Sequence, residues 1–432
     1  MRKKSRLSAL CLGAISGLAC TILSCTPEKK SDDKTVIALG LLPSATKAEV
    51  ANRYVALAFE SYNKSYQDAL ALKNAADTFA TTATPSASDL NNLRNLWVKA
   101  RASYLTTEAF RFSGGPIDNT TVLGCGAGVN FTGSDECEGL LNAWPLDETA
   151  VDNYIGNGGN STTDFAQILS LNGNGTIGAE QNPEKAILVG WHPIEYMLWG
   201  TDSSSTGSGN RNVSDFANAT ANGTRRKEFL QSIISALTGH LKLIRDKWEI
   251  GSPTRTAFLA NPDQSLEKVF QGIGKFIAGE YGGERLTGTF GGSQEEEHSC
   301  FSDTTKADFY YDAQSVLNVW TGNYVLGNQA PTTSGPGLSA LFGPIGSSGV
   351  TSELIQARDG FCINLPEQTA DPSYTASCPA GSLTGRFDQI IQSGNPENSI
   401  LLNLQLLIGE RIKRDFVNAA NAIGISVTDF SL

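Results

Sequence analysis

The run Gly190-Trp191-His192-Pro193-Ile194-Glu195-Tyr196-Met197-Leu198-Trp199-Gly200 sets a histidine and a carboxylate three residues apart in an otherwise apolar stretch. On a helix that spacing puts both side chains on one face, turned toward the interior. Burying an unpartnered charge is costly, so the pair has three chemical uses: metal ligands, a proton-transfer site or a mutual ion pair. A counterpart stands a hundred residues on, where Glu295 and His298 form Glu-x-x-His in the reverse order. Helical bundles that hold iron use inward-facing Glu-x-x-His and further Glu residues, so His192, Glu195, Glu295 and His298 bring a mixed nitrogen and oxygen iron site within reach. The alternative metal is zinc. The chain has three histidines, His192, His240 and His298, and no His-Glu-x-x-His helix. A catalytic zinc would therefore draw on His192 and His298, with Glu195 or a second-half carboxylate completing the set and water in the open position. Glu195 is a catalytic candidate only in that peptidase reading. Glu295 to Glu297 also read as a solvated helix start, and His240, between Leu237 and Leu241, as structural or exposed.

Helices must position these groups. Apolar residues recur at helical spacing over 45–82, 87–112, 183–199 and 225–249, then over 264–280, 304–325, 350–359, 383–393 and 397–422. Ser86 or Ser88 is a plausible cap for the second of these; Asn182 opens the third and Gly200 stops it. Loops at 156–182, 200–223 and 327–349 are dense in Gly, Ser, Asn and Thr. No alternating strand pattern stands out. The expectation is an all-α chain of two helical-bundle domains of about four helices each, over 39–252 and 253–432. Pro193 inside a helix would remove a donor and clash with the carbonyl of Val189, so a kink is expected at the site.

At 432 residues the chain exceeds one typical core, and 40% apolar with 18% charged residues is the balance of a folded, soluble body. Its start follows a different rule. Arg2, Lys3, Lys4 and Arg6 precede an apolar segment from Leu7 to Leu23, and Ile22-Leu23-Ser24-Cys25 closes it. This reads as a lipoprotein signal over 1–24, with Cys25 lipidated and 25–38 a solvated tether; a plain secretory signal and an uncleaved anchor are the other readings, since Leu23 is bulky. Without residues 1–24 the chain loses four of its 33 basic residues and none of its 44 acidic ones, leaving a net charge of −15. Nucleic acid is an unsuited partner. The lipid would make the membrane a partner and place the body in the cell envelope, at the outer membrane or periplasmic face.

Past the signal the cysteines are Cys125, Cys137, Cys300, Cys362 and Cys378. Pairing Cys125 with Cys137 and Cys362 with Cys378 would close two short loops, as suits an oxidising compartment, and leave Cys300 over. Neither spacing fits a zinc ribbon or a redox Cys-x-x-Cys motif.

Gly190-Trp191-His192-Pro193-Ile194-Glu195 matches the Gly-x-His-x-x-Glu signature of the imelysin family, and four further segments resemble it in the same order. They are Tyr104 to Phe112, Leu141 to Glu148, Gly279 to Arg285 and Glu295 to Thr304. The family comprises bacterial envelope proteins, among them an insulin-cleaving membrane protease and iron-regulated protein A. The resemblance implies two helical bundles and a site built around the His-x-x-Glu pair. Members have been called metallopeptidases, and others are linked to iron supply. Members often carry Ala where this chain has Pro193. Glu108 and Arg111, one turn apart, are by default an ion pair that satisfies both; with Glu297 and Asp303 they are also candidates to orient the ligands.

Three functions follow as expectations: an envelope lipoprotein that binds iron or another metal and is linked to iron uptake, a zinc-dependent peptidase, or a non-catalytic module that holds a peptide or protein. The first is favoured, because zinc hydrolysis needs an open coordination position and a general base, and histidine is scarce here while carboxylates abound.

Overall fold

Thr46 and Ser86 open the first two long helices with reciprocal caps: each hydroxyl accepts the backbone N–H of the residue three further on, Glu49 or Asp89, whose carboxylate accepts the cap's own N–H. In the computed structural model, which describes residues 43–119, 138–156, 165–204, 206–327, 329–365, 368 and 377–431, these helices are α1 (Lys47–Thr81) and α2 (Ala87–Leu105). The expected run to 112 stops early. A short 3-10 turn at Glu108–Phe110 follows, and Phe112 takes a φ of 60°, which a continuing right-handed helix does not allow.

The motif helix, α3 (Trp191–Trp199), is shorter than its apolar run suggested. Asn182 caps only a local turn, its side chain accepting the N–H of Glu184 at 2.9 Å. Gly190 then takes a φ of 105°, so the helix cannot begin before it. This start corrects the expected kink: Pro193 falls in the first turn, where its missing N–H has no intrahelical partner to lose. Gly190 is also fixed by contact, since a Cβ there would lie 2.6 Å from the carbonyl oxygen of Leu141. Gly200, with a φ of 77°, ends the helix.

The rest is helical too: α4 (Gly223–Trp248), α5 (Pro262–Lys275), α6 (Thr305–Thr321), α7 (Gly343–Gly360), α8 (Asn398–Leu406) and α9 (Lys413–Ala422). α5 runs on through wider i→i+5 turns over Phe276–Arg285, and α8 and α9 are joined by similar turns over Leu407–Ile412. Gly282 and Gly409 let these two segments touch, since a Cβ on Gly282 would lie 2.7 Å from the Cα of Gly409. The expected helix over 383–393 shrinks to Phe387–Ile390. Among the described residues the strand content is a two-residue antiparallel pairing of Asn323–Tyr324 with Thr333–Ser334, so the chain is all-α.

α1 packs against α2 and α4, while α6 packs against α7 and α2. α6 is buried from Thr305 to Trp320, including Lys306, Asp308, Asp312, Gln314 and Asn318. Buried apolar side chains from Val50 to Val427 form one contiguous core around it. Cys362 and Cys378 are disulfide-bonded with Cα atoms 5.5 Å apart, and Cys300 is a buried free thiol. Cys25 and the Cys125–Cys137 pair lie outside the described residues. No described helix is long and apolar enough to cross a membrane.

The Gly190 geometry is testable. Gly190→Ala adds backbone strain and a clash with Leu141, and should lower stability by about 2–4 kcal/mol in denaturant unfolding; a midpoint equal to wild type would contradict the close approach.

Candidate functional site

α3 delivers His192 and Glu195 into the interior, both with no exposed surface. His192 Nδ1 lies 3.0 Å from Glu195 Oε2. The other carboxylate oxygen, Oε1, accepts both the backbone N–H of Ser302 at 2.9 Å and its hydroxyl at 2.7 Å. Burial pushes Glu195 up to about 8, against the pull of Ser302 and Arg101. Burial, with Arg101 and His298 adding repulsion, holds His192 well below the ordinary imidazole range. Its Nε2 is buried and has no hydrogen-bond partner.

The turn that carries Ser302 also carries His298, whose ring centroid is 5.6 Å from that of His192. His298 Nδ1 lies 3.0 Å from Asp308 Oδ2 of α6. The same oxygen accepts from Arg101 Nη2 of α2 at 2.8 Å and from the Ser299 hydroxyl at 2.7 Å. Burial opposes ionisation of Asp308, yet Arg101 and His298 hold it far below the usual carboxylate range. Burial and Arg285 bring His298 down to about 4. Asn142 reaches His298 Nε2 at 3.5 Å and accepts from Arg101 Nη1. The Trp144 ring covers His192 at 4.7 Å, and its Nε1 donates to the backbone carbonyl of Glu295 at 3.1 Å.

The sequence candidates divide accordingly. His192, Glu195 and His298 come together. Glu295 is exposed, and it meets the site through its backbone rather than its carboxylate. Glu108 and Arg111 do pair, at 3.2 Å, but inside a larger buried network: Glu108 also accepts from Arg285 at 2.7 Å, Arg285 reaches Asp312 of α6 at 2.9 Å, and both arginines meet Glu280. Glu297 is buried with Oε1 unpartnered, and burial beside Asp388 and Asp303 raises it well above the carboxylate range. Asp303 accepts from Arg386 at 3.0 Å. The carboxylates against the two rings are Glu195 and Asp308. His240 is buried on α4 near Phe165, away from this cluster. Arg101, Asn142, Trp144, Ser302 and Asp308 escaped the sequence reading. A signal for Arg101 existed, since Leu93, Trp97, Arg101 and Leu105 recur every four residues and place a charge on a buried face. Among the described residues no group of three or more His, Cys, Asp or Glu is arranged to enclose a metal ion.

Chemically, the cluster offers two neutral imidazoles with their Nδ1 atoms fixed on acids and one Nε2 left for a ligand. Metal-binding histidines are held in this way, through the second nitrogen on a carboxylate.

The Glu108 network makes a pH-dependent prediction. Burial works against its ionisation, but Arg285 and Arg111 hold Glu108 at about 2. A depressed native value means that its contribution to stability is present above the unfolded carboxyl range, near about 4.3, and is lost as pH falls toward 2. Glu108→Gln should therefore lower stability by about 3–5 kcal/mol at neutral pH. The deficit should shrink as pH falls through that window in pH-resolved denaturation; a deficit independent of pH would contradict the assignment.

Comparison with known proteins gives a consistent result. The family model for imelysin matches residues 58–359, more than half of the chain. An iron-regulated protein A precursor from Parabacteroides distasonis has a similar structure, with a TM-score of 0.56 at 16% identity, over 87% of this chain and 98% of that one. An imelysin-like protein from Psychrobacter arcticus superposes with a TM-score of 0.52 at 15% identity, over 90% of this chain and 100% of that one. A search of curated proteins gives no match.

Proposed function

The chain belongs to the imelysin family, and on that footing we propose that it is a lipid-anchored cell-envelope protein that binds a metal ion, iron first, and serves iron uptake. The observation that carries this reading is the pair of facing imidazoles 5.6 Å apart, each with Nδ1 3.0 Å from a carboxylate, and His192 Nε2 buried without a partner. When Nδ1–H donates to Glu195, Nε2 carries the lone pair, and an orphaned ring nitrogen of that kind in a closed interior fits a Lewis acid. The donors fit a site with two protein nitrogens whose remaining positions are filled from outside, rather than a full protein cage. His192 is the first ligand in this reading, and His298 becomes the second when its Nε2 exchanges the 3.5 Å contact with Asn142 for the metal. Glu195 and Asp308 orient them, and Glu295 contributes no ligand. A bound metal would supply Lewis acidity there. The iron preference draws on the mixed nitrogen and oxygen surroundings and on the Parabacteroides relative, which carries iron regulation in its name.

Peptide hydrolysis fits less well. A general base needs a free carboxylate near metal-bound water, whereas Glu195 has Oε1 engaged by Ser302 and Oε2 by His192.

Untagged protein should carry or take up one metal ion per chain by elemental analysis and calorimetry with iron(II), cobalt(II) and zinc(II). His192→Ala and His298→Ala should each weaken binding by roughly tenfold or more, and Asp308→Asn by about 10–100-fold through the lost orienting bond. Protein that stays metal-free with all three ions would overturn the reading.

A further inference from the structure

His192 has no exposed surface, yet any ligand for its Nε2 must arrive from solvent. Of the rings packed on it, His298 is buried and Trp144 is half-buried, so the indole is the part of the wall that reaches water. Trp144 is held at the edge of the core: its Nε1 donates to the Glu295 carbonyl at 3.1 Å, and its ring meets that of Phe301 in a T-shaped contact at 5.7 Å. Turning the side chain outward breaks that hydrogen bond, the ring contacts with His192 and Phe301 and the indole's packing on the edge of the core.

The surface around this indole is acidic. Three residues beyond it, Asp147 accepts the N–H of Glu180 at 2.9 Å, and its own N–H donates to the carbonyl of Lys185 at 2.8 Å. Glu148 follows in sequence, and Glu295 and Glu296 occupy the turn to which the indole is tied. Glu180, Glu295 and Glu296 are exposed and Glu148 is half-buried. Lys185 is the cation among them, paired with Glu180 at 2.7 Å. Four carboxylates against one lysine leave the mouth negative, and such a rim concentrates cations and speeds their association.

We propose that Trp144 is the gate through which a divalent cation reaches His192, and that Glu148, Glu180, Glu295 and Glu296 form the acidic rim that draws it in. The cation's identity rests on the metal-binding reading above; the gate does not.

The gate is tested without metal, by treating the full chain with diethyl pyrocarbonate, which acylates unprotonated imidazole, and following the His192 peptide by mass spectrometry. Trp144→Ala should speed modification of His192 roughly tenfold with His240 unchanged, and Trp144→Phe, which keeps a ring but loses the hydrogen bond, should fall between. Equal His192 rates in all three proteins overturn the gate, and so does acceleration of His240 alongside, which reports loosening of the whole fold. Stopped-flow binding of cobalt(II) tests the rim: Glu295→Gln with Glu296→Gln should slow association severalfold at low salt and flatten its salt dependence. Unchanged association overturns the steering role. If no cobalt binds while Trp144→Ala still unmasks His192, the metal reading fails and the gate stands.

Discussion

Arg101, Arg111 and Arg285 have side chains no more than 8% exposed, and a guanidinium cannot give up its proton to escape burial. Acids must therefore come to them, and they come from distant parts of the chain. Asp308 meets Arg101, Asp312 meets Arg285, and Glu280 meets both Arg111 and Arg285 while Glu108 does the same from the first half. Asp308 and Asp312 stand one turn apart on the wholly buried α6. The helix thus docks through two acids on two guanidiniums, Asp308 ionised and Asp312 pushed up by burial against the pull of Arg285, and its rotation and height against α2 are set together. Buried ion pairs need not stabilise more than well-packed hydrocarbon would. Their contribution here is selection of one docking, because any slip strands a charge.

That docking builds the site. The acid that neutralises Arg101 also fixes His298, and the turn holding His298 sends Ser302 back to Glu195. Glu195 in turn orients His192. Each ring is thereby fixed by an acid, one from its own helix and one from α6, and His192 Nε2 is the group left over. The glutamate of the Gly-x-His-x-x-Glu motif acts as support for its histidine, and its glycine lets the helix start against Leu141.

Much of this was legible in the residues themselves. Helical spacing located the long helices, because an amphipathic stripe is written in the local sequence. The His192 and Glu195 pairing was legible for the same reason, as was the Glu108 and Arg111 pair. Pro193 misled, since its effect depends on where the helix begins, and Gly190 sets that through a contact with Leu141, in a short helical turn some fifty residues earlier. Asp308 was hidden because α6 is polar on several faces yet buried on all of them, so no stripe marks its inner side. Its partners, Arg101 and His298, lie in separate segments whose approach only the fold creates. Trp144 carries no local signal, and its position over His192 follows from tertiary structure alone.

In the proposed site two imidazoles from opposite halves of the chain hold one metal ion between them. X-ray absorption at the metal edge of protein loaded with one equivalent of zinc or iron counts imidazoles directly, through their outer-shell scattering. Two imidazoles per metal are expected in the wild type and one in His298→Ala. A first shell of oxygen alone, with no imidazole scattering, would contradict the shared site.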